Sequence, residues 1–335
     1  MNILVSRTDR AGDFILTLPL FRELRKAYPE AHIVAHIRKY TEPIARLCKE
    51  IDEVILDDDK RFEAGMISNG LSNCFKDHKF DKAIIVHPAG RSIIATFRAG
   101  IPQRVGRASN LFQFLLNDRR VQKRSRNQKH EFEYNLDLLE GIVSDIDYSP
   151  YIFELEKTLL AKGKETLEKL GVNKAPVVIH PGHGGSAHNI TPNMYAEIAS
   201  RLISDGENVL ISMGPGEESM EEYFFILKES GKIHFLKGVS GMDELAGVFK
   251  HCKAFVGGST GPLHLSASVG IPSVAFFPPV KAMTPKRWGP RGNSSLVIKP
   301  ETADCDGKCE MCKNSGCMKT IDISKAISWL KEVLK

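Results

Sequence analysis

The residues best suited to chemistry follow an apolar run near the end of the sequence, within CKAFVGGSTGPLHLSASVGIPSVAFFPP (residues 252–279). Two glycines after the run permit close backbone approach, a serine and a threonine supply hydroxyls, and a proline suits the first helical position. Unpaired N–H groups and the dipole at such a helix N-terminus favour phosphate. The alternative is a tight strand-to-helix turn with a core histidine. The predicted anion-binding residues are Ser259, Thr260, Gly261, Pro262 and His264.

A second glycine-rich loop, HPGHGGSAHN (residues 180–189), contains a variant of the dinucleotide-binding fingerprint, Gly182-x-Gly184-x-x-Ala187. The next helix begins near Pro192, too late to abut the glycines, and no acid stands at the distance expected for a ribose contact. The spacing therefore favours a loop near phosphate or sugar over a hydride-transferring dehydrogenase. The predicted binding residues of this loop are Gly184, Ser186 and His188.

A third turn, ISMGPGEES (residues 211–219), places two glutamates directly after a Gly-Pro-Gly sequence. A carboxylate at this point can accept hydrogen bonds from both ribose hydroxyls of a nucleotide. The alternative is an acid that only complements the dipole of the following helix. The pattern predicts Gly214 and Glu217 as nucleotide contacts.

The N-terminal turn from Arg7 to Asp13 differs from these loops, because it has one glycine and two carboxylates. A backbone cradle for phosphate needs several glycines, and carboxylates repel an anion. We therefore do not expect this turn to hold phosphate.

A basic stretch lies between residues 119 and 129 and contains no acid. No aromatic residues are interleaved with its cations, so a nucleic-acid platform is not indicated. It is either a solvated loop or a surface that attracts a phosphorylated or acidic substrate, or an anionic membrane. Its cations are Arg119, Arg120, Lys123, Arg124, Arg126 and Lys129.

Four cysteines cluster near the C-terminus in CDGKCEMCKNSGC. Four thiolates so closely spaced can bind zinc tetrahedrally, and the first three match the C-x3-C-x2-C spacing of radical iron–sulfur sites. The position after the last predicted strand argues against the radical class, which leaves structural zinc or a reduced cysteine-rich loop. The candidate ligands are Cys305, Cys309, Cys312 and Cys317.

The elements that must position these loops are short apolar strands alternating with helical patterns, typical of parallel sheets covered on both faces. Two such series occur, and both contain an apolar strand ending in His-Pro, in AIIVHPAGRS (residues 83–92) and VVIHPGHGGS (residues 177–186). We predict an α/β protein with two Rossmann-like parallel-sheet domains, residues 1–153 and 154–320, followed by a helix over 321–335. Ligands of such sheets bind at the carboxyl ends of strands, so we expect the site in a cleft between the domains.

Composition agrees with this fold class. The chain has 335 residues, 42% hydrophobic and 26% charged, with a formal net charge of +5. This is enough for two globular domains, and no apolar run reaches the roughly 20 residues that span a bilayer. Scattered cysteines and no visible secretory signal predict a cytoplasmic protein with reduced thiols.

Taken together and in order, the motifs resemble the heptosyltransferases of glycosyltransferase family 9, which extend the lipopolysaccharide core. The matching stretches are RTDRAGDFILTLPLFRELRKAYP, RVGR, HEFEYNLDLL, HPGHGGSAHN, GPGEE, GGSTGPLHLSASVGIPSVAFFPP and RWGP. The resemblance implies a GT-B architecture with a nucleotide-sugar donor, ADP-heptose, in the C-terminal domain. It also implies a lipopolysaccharide core or other lipid-linked acceptor on the N-terminal domain, no nucleic acid, and peripheral contact with the anionic inner membrane surface. The final helix would pack back on the first domain.

By this resemblance Asp13 is the base that deprotonates the acceptor hydroxyl. Diphosphate leaves without a general acid, so one carboxylate suffices, and attack from one face predicts inversion at the anomeric carbon. Backbone N–H groups near Thr260 and Gly261 would stabilise the leaving group, so no cofactor or metal is required for catalysis. The expected acceptor-binding residues are Arg7, Arg10, Gly12, Arg120, Arg124 and Arg126.

Two positions depart from the family pattern. Ser259 stands where an Asp or Asn is common, and His188 stands where a Lys or Arg is usual. Two alternatives therefore remain open: a transferase of the same family with another nucleotide-sugar donor, and a catalytically silent GT-B binding protein.

Overall fold

The computed structural model describes residues 1–184, 188–239, 241–292, 294–302, 305 and 316–335. These residues divide into two compact units, Met1–Tyr151 (unit 1) and Ile152–Lys335 (unit 2). The predicted domain boundary falls after residue 153. Within the described ranges, no helix combines the length and apolar character needed to cross a bilayer.

Unit 1 is built around a parallel sheet. The described strands of this unit are β1 Asn2–Arg7, β2 His32–Ile37, β3 Glu53–Leu56, β4 Lys82–Ile85, β5 Gln103–Arg107 and β6 Asp118–Arg120. The α-helices are α1 Ala11–Ile15, α2 Leu18–Ala27, α3 Glu42–Ala45, α4 Asn69–Asp77, α5 Gly90–Arg98 and α6 Glu131–Leu136. Short 3-10 helices lie at Lys39–Thr41, Leu111–Leu115, Arg124–Arg126 and Asp137–Leu139.

The sheet of unit 1 has the order β3-β2-β1-β4-β5-β6, and its pairings are parallel. Residues Ile3–Val5 of β1 are fully buried, as expected for a central strand of a parallel sheet. The chain reverses its progress across the sheet between β1 and β4. Ligands of open α/β sheets bind where two such strands end. The turns after Arg7 and Ile85 therefore lie together at the switch point of unit 1.

Unit 2 repeats this plan. Its described strands are β7 Val177–His180, β8 Val209–Ser212, β9 Ile233–Leu236, β10 Ala254–Gly258, β11 Ser273–Phe276 and β12 Ser295–Ile298. The α-helices are α7 Lys157–Lys169, α8 Pro192–Ser204, α9 Met242–Lys250, α10 Gly261–Val269, α11 Pro285–Trp288 and α12 Ser324–Val333. Further 3-10 helices lie at Glu218–Ser230, Lys281–Met283 and Cys317–Thr320.

The sheet of unit 2 has the order β12-β11-β10-β7-β8-β9, again parallel. Read from the other edge, this is the same strand order as in unit 1. The switch point lies between β7 and β10, so the loops after His180 and Gly258 end side by side. The two His-Pro sequences noted in the chain lie at switch-point strands that are not equivalent, because β4 of unit 1 corresponds to β10 of unit 2 and β7 corresponds to β1.

Close helix packing explains two glycines in unit 2. A Cβ added at Gly163 on α7 would lie 2.3 Å from the Gly247 carbonyl carbon on α9, and one at Gly247 would lie 2.6 Å from the Leu159 carbonyl oxygen. Any side chain would push the helices apart. Helix α7 therefore packs with its backbone directly against α9 in unit 2.

The apolar face of the final helix is buried within unit 2, whereas packing of this helix on the first domain stays a prediction. Ala326 and Leu330 of α12 are fully buried in the same cluster as Val177 of β7 and Tyr195 of α8. Lys331 adds an ion pair with Asp205, 2.9 Å between Nζ and Oδ2. The apolar stripe of α12 is thus buried within unit 2.

Local structure departs from the sequence pattern in three places. The apolar pattern from Phe14 to Ala27 is typical of one helix, but the structure has two, because Pro19 near the start of α2 cannot donate to the preceding turn. The pattern from Met220 to Leu227 is typical of an α-helix, but the structure has a longer 3-10 helix there. The edge strands β6 and β12 were not predicted, since edge strands are short and partly exposed.

Candidate active site

The turn at the end of β1 carries the acidic residue predicted as the base. Arg10 caps α1 in extended conformation, and Asp13 is the third residue of that helix, in its first turn. Gly12 is the second residue of that helix, and its predicted acceptor-binding role stays a prediction. Asp13 is placed by a helix start at the switch point of unit 1, with 17% of its side chain exposed.

Arg7, the last residue of β1, forms hydrogen bonds with two carboxylates of this turn. Its Nε donates to Asp9 Oδ1 at 2.7 Å, and its Nη2 donates to Asp13 Oδ1 at 2.6 Å. Its Nη1 donates to Asn135 Oδ1 at 3.3 Å, and Glu131 lies 3.7 Å away. Because the guanidinium is buried, these contacts are made with little water present. The guanidinium of Arg7 is therefore engaged by side chains of unit 1. Any effect of Arg7 on acceptor binding would act through the residues that it positions.

The two carboxylates on this guanidinium have opposite pKa shifts. Burial raises the pKa of Asp13 to about 6, and the nearby Asp9 and Glu131 add to the shift against the opposing charge of Arg7. Burial also acts to raise the pKa of Asp9, but hydrogen bonds and charges from His87 and Arg7 outweigh it and lower that pKa to about 2. Asp13 is the stronger base of the two, and it still ionises below neutral pH.

The pKa of Arg7 shifts in the direction expected for a fixed cation. Burial would lower it, but the charges of Asp9, Asp13 and Glu131 outweigh burial and raise it. Arg7 therefore stays charged at any pH at which the protein is folded.

Residues of α6 and of the 3-10 helix at 124–126 support Arg7. Asn135 accepts from Arg7 and from Arg124 Nη1, each at 3.3 Å, and its amide donates to Leu16 O at 2.9 Å. The buried Arg124 donates a short hydrogen bond to Glu131. Arg124 thus acts on Asp13 through Glu131 and Asn135, and its buried guanidinium is not presented to an acceptor.

A cavity of about 600 Å³ opens beside the turn and is lined by residues of unit 1 alone. His87 Nδ1 lies 2.9 Å from Asp9 Oδ2, and Tyr40 donates its hydroxyl to Asp9 O at 2.7 Å. Arg10 and Arg38 also line the cavity; both are exposed, and neither side chain has an ion-pair partner in the described residues. The cavity therefore offers two cations without an ion-pair partner in the described residues beside the Asp9–His87 pair, and the acceptor-binding role of Arg10 stays a prediction.

The other predicted acceptor arginines lie elsewhere on unit 1. Arg120 on β6 pairs with Asp118 and donates to Glu140 O, so its charge is already compensated. Arg126 is exposed at the end of its 3-10 helix. Neither residue lines the cavity beside the Asp9–His87 pair.

In unit 2 the predicted anion site is a helix N-terminus. Thr260 is the extended cap residue before α10, with no side-chain hydrogen bond to the helix backbone, and Gly261 and Pro262 open the helix. The first N–H groups of a helix have no partner inside it and favour an anion. Ser259 lies between the end of β10 and this cap, as predicted.

His264 does not supply a cation to that site. It is buried in the first turn of α10, and burial lowers its pKa to about 4. Its Nδ1 has no hydrogen-bond partner in the described residues. Any contact it makes with a ligand is through a neutral imidazole.

Gly214 and Glu217, both predicted as nucleotide contacts, contact each other, and two further residues lie beside them. Glu217 Oε2 accepts from Gly214 N at 2.8 Å and lies 3.8 Å from His180 Nε2. A Cβ at Gly182 would overlap the same carboxylate, so a larger residue there would have to displace the Glu217 side chain. Burial lowers the pKa of His180 despite the charge of Glu217. Glu217 is thus held against the backbone of the turns after β7 and β8.

The loop after β7 also approaches the end of β10. A Cβ at Gly258 would lie 2.7 Å from Asn189 Nδ2, and Asn189 is fixed by Tyr195 OH at 2.8 Å. His188 beside it is exposed, and Gly184 has a positive φ of 49°. Ser186 lies outside the described residues. Asn189 was not predicted as a site residue, because its contact with the end of β10 depends on the close approach of two loops that are distant in the sequence.

The cysteine cluster is only partly within the described residues. Cys305 pairs as an isolated bridge with Val280, and Cys317 begins a 3-10 helix. Cys309 and Cys312 lie outside the described residues, so the zinc site stays a prediction.

Several residues that the structure joins to the site were not predicted from the sequence. Their signals are in the sequence: the two His-Pro repeats, the second carboxylate of the N-terminal turn, and the polar positions of HEFEYNLDLL. The missed residues are Asp9, His87, Glu131, Asn135, His180, Gly182 and Asn189.

Comparison with known proteins gives the same family as the motifs. The sequence model of glycosyltransferase family 9 (heptosyltransferase) matches residues 71–317. A Haemophilus influenzae protein named for glycosyltransferase activity, without a stated substrate, is 31% identical over 298 residues, 86% of each chain. Lipopolysaccharide heptosyltransferase 2 of Escherichia coli is 25% identical over 312 residues, 89% of this chain and 88% of its own.

A solved structure extends the similarity to the fold of the whole chain. The structure of E. coli ADP-heptose lps heptosyltransferase II superimposes with a TM-score of 0.81 at 21% identity, covering 100% of this chain and 98% of that one. The two Rossmann-like units are thus those of a GT-B glycosyltransferase. By its sequence match over most of its length, the chain belongs to glycosyltransferase family 9, the heptosyltransferase family.

Proposed function

We propose that this protein is an inverting glycosyltransferase that moves a heptose or related sugar from an ADP-sugar to a lipopolysaccharide core or related lipid-linked acceptor, with Asp13 as base. One observation carries the proposal: Asp13, partly exposed at the switch point of unit 1, is held by Arg7 and has a pKa of about 6. The choice of donor and acceptor draws on relatives named as lipopolysaccharide heptosyltransferases.

Asp13 and Asp9, the two carboxylates of the turn, have different roles in this proposal. A general base is most effective when its pKa lies just below the working pH, because it is then ionised and still basic. Asp13 meets this condition, whereas Asp9 is too weak a base and instead orients Arg7 and His87. When their surroundings shift the pKa values of two neighbouring groups in opposite directions, the two groups commonly have different roles in acid–base catalysis.

The reaction in this proposal is a single displacement. Asp13 takes the proton of the acceptor hydroxyl as its oxygen attacks the anomeric carbon of the donor. The bond from that carbon to the β-phosphate oxygen breaks, and the nucleoside diphosphate leaves with the electron pair. Attack opposite the leaving group inverts the anomeric configuration.

The donor end in this proposal lies in unit 2. The N-terminus of α10, at Thr260 and Gly261, would receive the charge that develops on the diphosphate. Glu217, held by Gly214 N, would accept hydrogen bonds from the ribose. We propose that no metal is needed, since backbone N–H groups can take the charge.

Location follows from the substrates in this proposal. An ADP-sugar donor restricts the reaction to the cytoplasm, where nucleotide sugars are made, and a lipid-linked acceptor brings the enzyme to the inner membrane surface.

A transfer assay tests the proposal. The purified protein is incubated with ADP-heptose or with other ADP-, GDP- and UDP-sugars, each with a deacylated core oligosaccharide and with EDTA present. We expect transfer from ADP-heptose that resists EDTA, with an inverted anomeric centre by NMR. Transfer from another nucleotide sugar alone would reassign the donor. Donor binding without transfer to any acceptor would indicate a silent binding protein.

A further inference from the structure

The 3-10 helix Leu111–Leu115 between β5 and β6 presents large apolar side chains to solvent. Residues three apart lie on the same side of a 3-10 helix. Phe112 and Leu115 face inward, against a buried cluster with Ile85 and Ile93. Leu111 and Phe114 face outward, 80% and 67% exposed. A helix that is apolar on both sides leaves its outer side without a partner in the folded unit.

The edge strand that follows adds cations to this surface. Alternate side chains of an extended chain point to opposite sides. Arg120 and Arg124 point inward to ion pairs with Asp118 and Glu131. The residues between and beside them point outward and are exposed: Arg119, Val121 and Lys123.

Neither outward cation is compensated. Among the described residues, Arg119 and Lys123 have no ion-pair partner. From residue 107 to residue 130 the chain has one acid, Asp118, which is taken by Arg120. Val121, between the two cations, is 79% exposed. Apolar and basic side chains thus share one continuous segment with almost no negative charge.

This segment adjoins the cavity beside the Asp9–His87 pair. The inner side of the 3-10 helix packs against the start of α5, where a Cβ at Gly90 would lie 2.7 Å from the Phe112 ring and 2.6 Å from Met66 Sδ. Gly90 and Met66 also line the cavity. A partner that covers the segment would therefore lie close to the mouth of the cavity.

We propose that this insertion surface, formed by Leu111, Phe114, Arg119, Val121 and Lys123, docks on an anionic lipid bilayer. Leu111 and Phe114 enter the boundary between head groups and acyl chains, and the two cations bind lipid phosphates. The proposal rests on the proposed function for its purpose, since docking here would bring the cavity to a lipid-linked acceptor.

Charge favours a bilayer over the other occupants. A second copy would bring the same uncompensated cations face to face, which costs free energy. An anionic bilayer compensates the cations and accepts the apolar side chains together. One weak signal alone does not anchor a protein to a membrane, whereas an apolar and a basic signal together do.

Vesicle flotation tests the proposal with purified full-length protein. The vesicles are phosphatidylcholine alone or phosphatidylcholine mixed with phosphatidylglycerol. The variants are Leu111→Ser/Phe114→Ser and Arg119→Gln/Lys123→Gln, and all four positions are exposed. Phe225→Ser/Ile226→Ser is the matched control, since these unit 2 residues are 67% and 86% exposed on another 3-10 helix.

We expect wild-type protein and the unit 2 control to bind the anionic vesicles and to bind neutral vesicles weakly. Loss of the two cations should weaken anionic binding roughly thirtyfold, at about fivefold per charge. Loss of the two apolar side chains should weaken it at least roughly tenfold. Equal binding by all variants, or equal binding to both vesicle types, would overturn the proposal.

Two further measurements distinguish docking on a bilayer from self-association and from a failure of the proposed function. The Leu111/Phe114 variant should transfer sugar to a deacylated acceptor at the wild-type rate and lose transfer to an acceptor embedded in vesicles. If wild-type protein transfers to neither acceptor, the proposed function fails while flotation still decides the docking. Light scattering that shows a wild-type dimer and a monomeric variant, with no vesicle binding, would assign the surface to a second copy and overturn the proposal.

Discussion

Replacing Arg7 by Met should move the pH dependence of transfer as well as its rate. Arg7 touches both carboxylates of the N-terminal turn, and Met keeps the length of the side chain without its charge. With the guanidinium gone, Asp13 keeps the burial and the neighbouring carboxylates that raise its pKa and loses the group that lowers it.

The size of the shift can be worked from the wild-type value. A cation within hydrogen-bond distance lowers a carboxyl pKa by about 1–3 units, so the pKa of Asp13 should rise from about 6 to about 7–9 in the variant. At pH 7 the ionised fraction then falls from about nine-tenths to between about one-half and one-hundredth. Transfer at pH 7 should drop roughly twofold to ninetyfold from ionisation alone.

The assay is kcat/KM for transfer from pH 5 to pH 9.5, with unfolding by urea in parallel. Arg7→Lys is the control, because it keeps the charge but not the three-way geometry. We expect the acid limb of Arg7→Met to move to higher pH, so that alkaline buffer restores part of the activity. We also expect a loss of about 3–5 kcal/mol in stability, because buried carboxylates lose their partner.

One result would refute this reasoning. If Arg7→Met has a uniformly lower rate with its acid limb still near pH 6, Arg7 does not set the pKa of Asp13. Its contacts would then serve only to hold the fold of the turn.

Other predictions concern the donor site, the residues that support Arg7, pH-dependent stability and the cysteines. Gly182→Ala places a Cβ against the Glu217 carboxylate and should weaken ADP binding by calorimetry at least roughly tenfold; unchanged affinity would remove Glu217 from the donor site. Arg124→Met should cost about 3–5 kcal/mol in urea unfolding, because it strands a buried carboxylate, whereas the exposed Arg126→Met should change stability by less than about 0.5 kcal/mol. Because the folded-state pKa of Asp13 exceeds the unfolded value, its contribution to stability falls as pH rises from about 4 to about 6, so wild-type protein should lose up to about 3 kcal/mol relative to Asp13→Asn over that range. Elemental analysis of protein purified without added metal should find about one zinc per chain, and its absence would indicate a reduced cysteine loop.

The fold could be predicted from sequence because it depends on local patterns. Short apolar strands separated by helical periods indicate parallel sheets, and turns after strands are where ligands bind. The repeated His-Pro sequence marked one switch-point strand in each unit, β4 and β7, although these two strands are not equivalent in the sheet order. Edge strand β6 was not predicted, because its three partly exposed residues show no apolar pattern.

The candidate site could be predicted less well, because side-chain partners depend on tertiary contacts. Arg120 and Arg124 looked like surface cations in a basic stretch, yet their partners are Asp118 in the same strand and Glu131 on the next helix. His264 looked like a phosphate contact, but its burial became visible only once α10 was placed in the core. Residue type indicated which chemistry was available, and packing decided which side chains were free to do it.

The most direct test of the account is the transfer rate of Asp13→Asn, measured with its affinity for the donor nucleotide in the same preparation. Asn keeps the size of the side chain and cannot accept the proton of an attacking hydroxyl. We predict donor affinity close to that of wild type and a fall in transfer of roughly 10²–10⁴-fold, the range for loss of a general base. Wild-type turnover in this variant would contradict the assignment of Asp13 as the base.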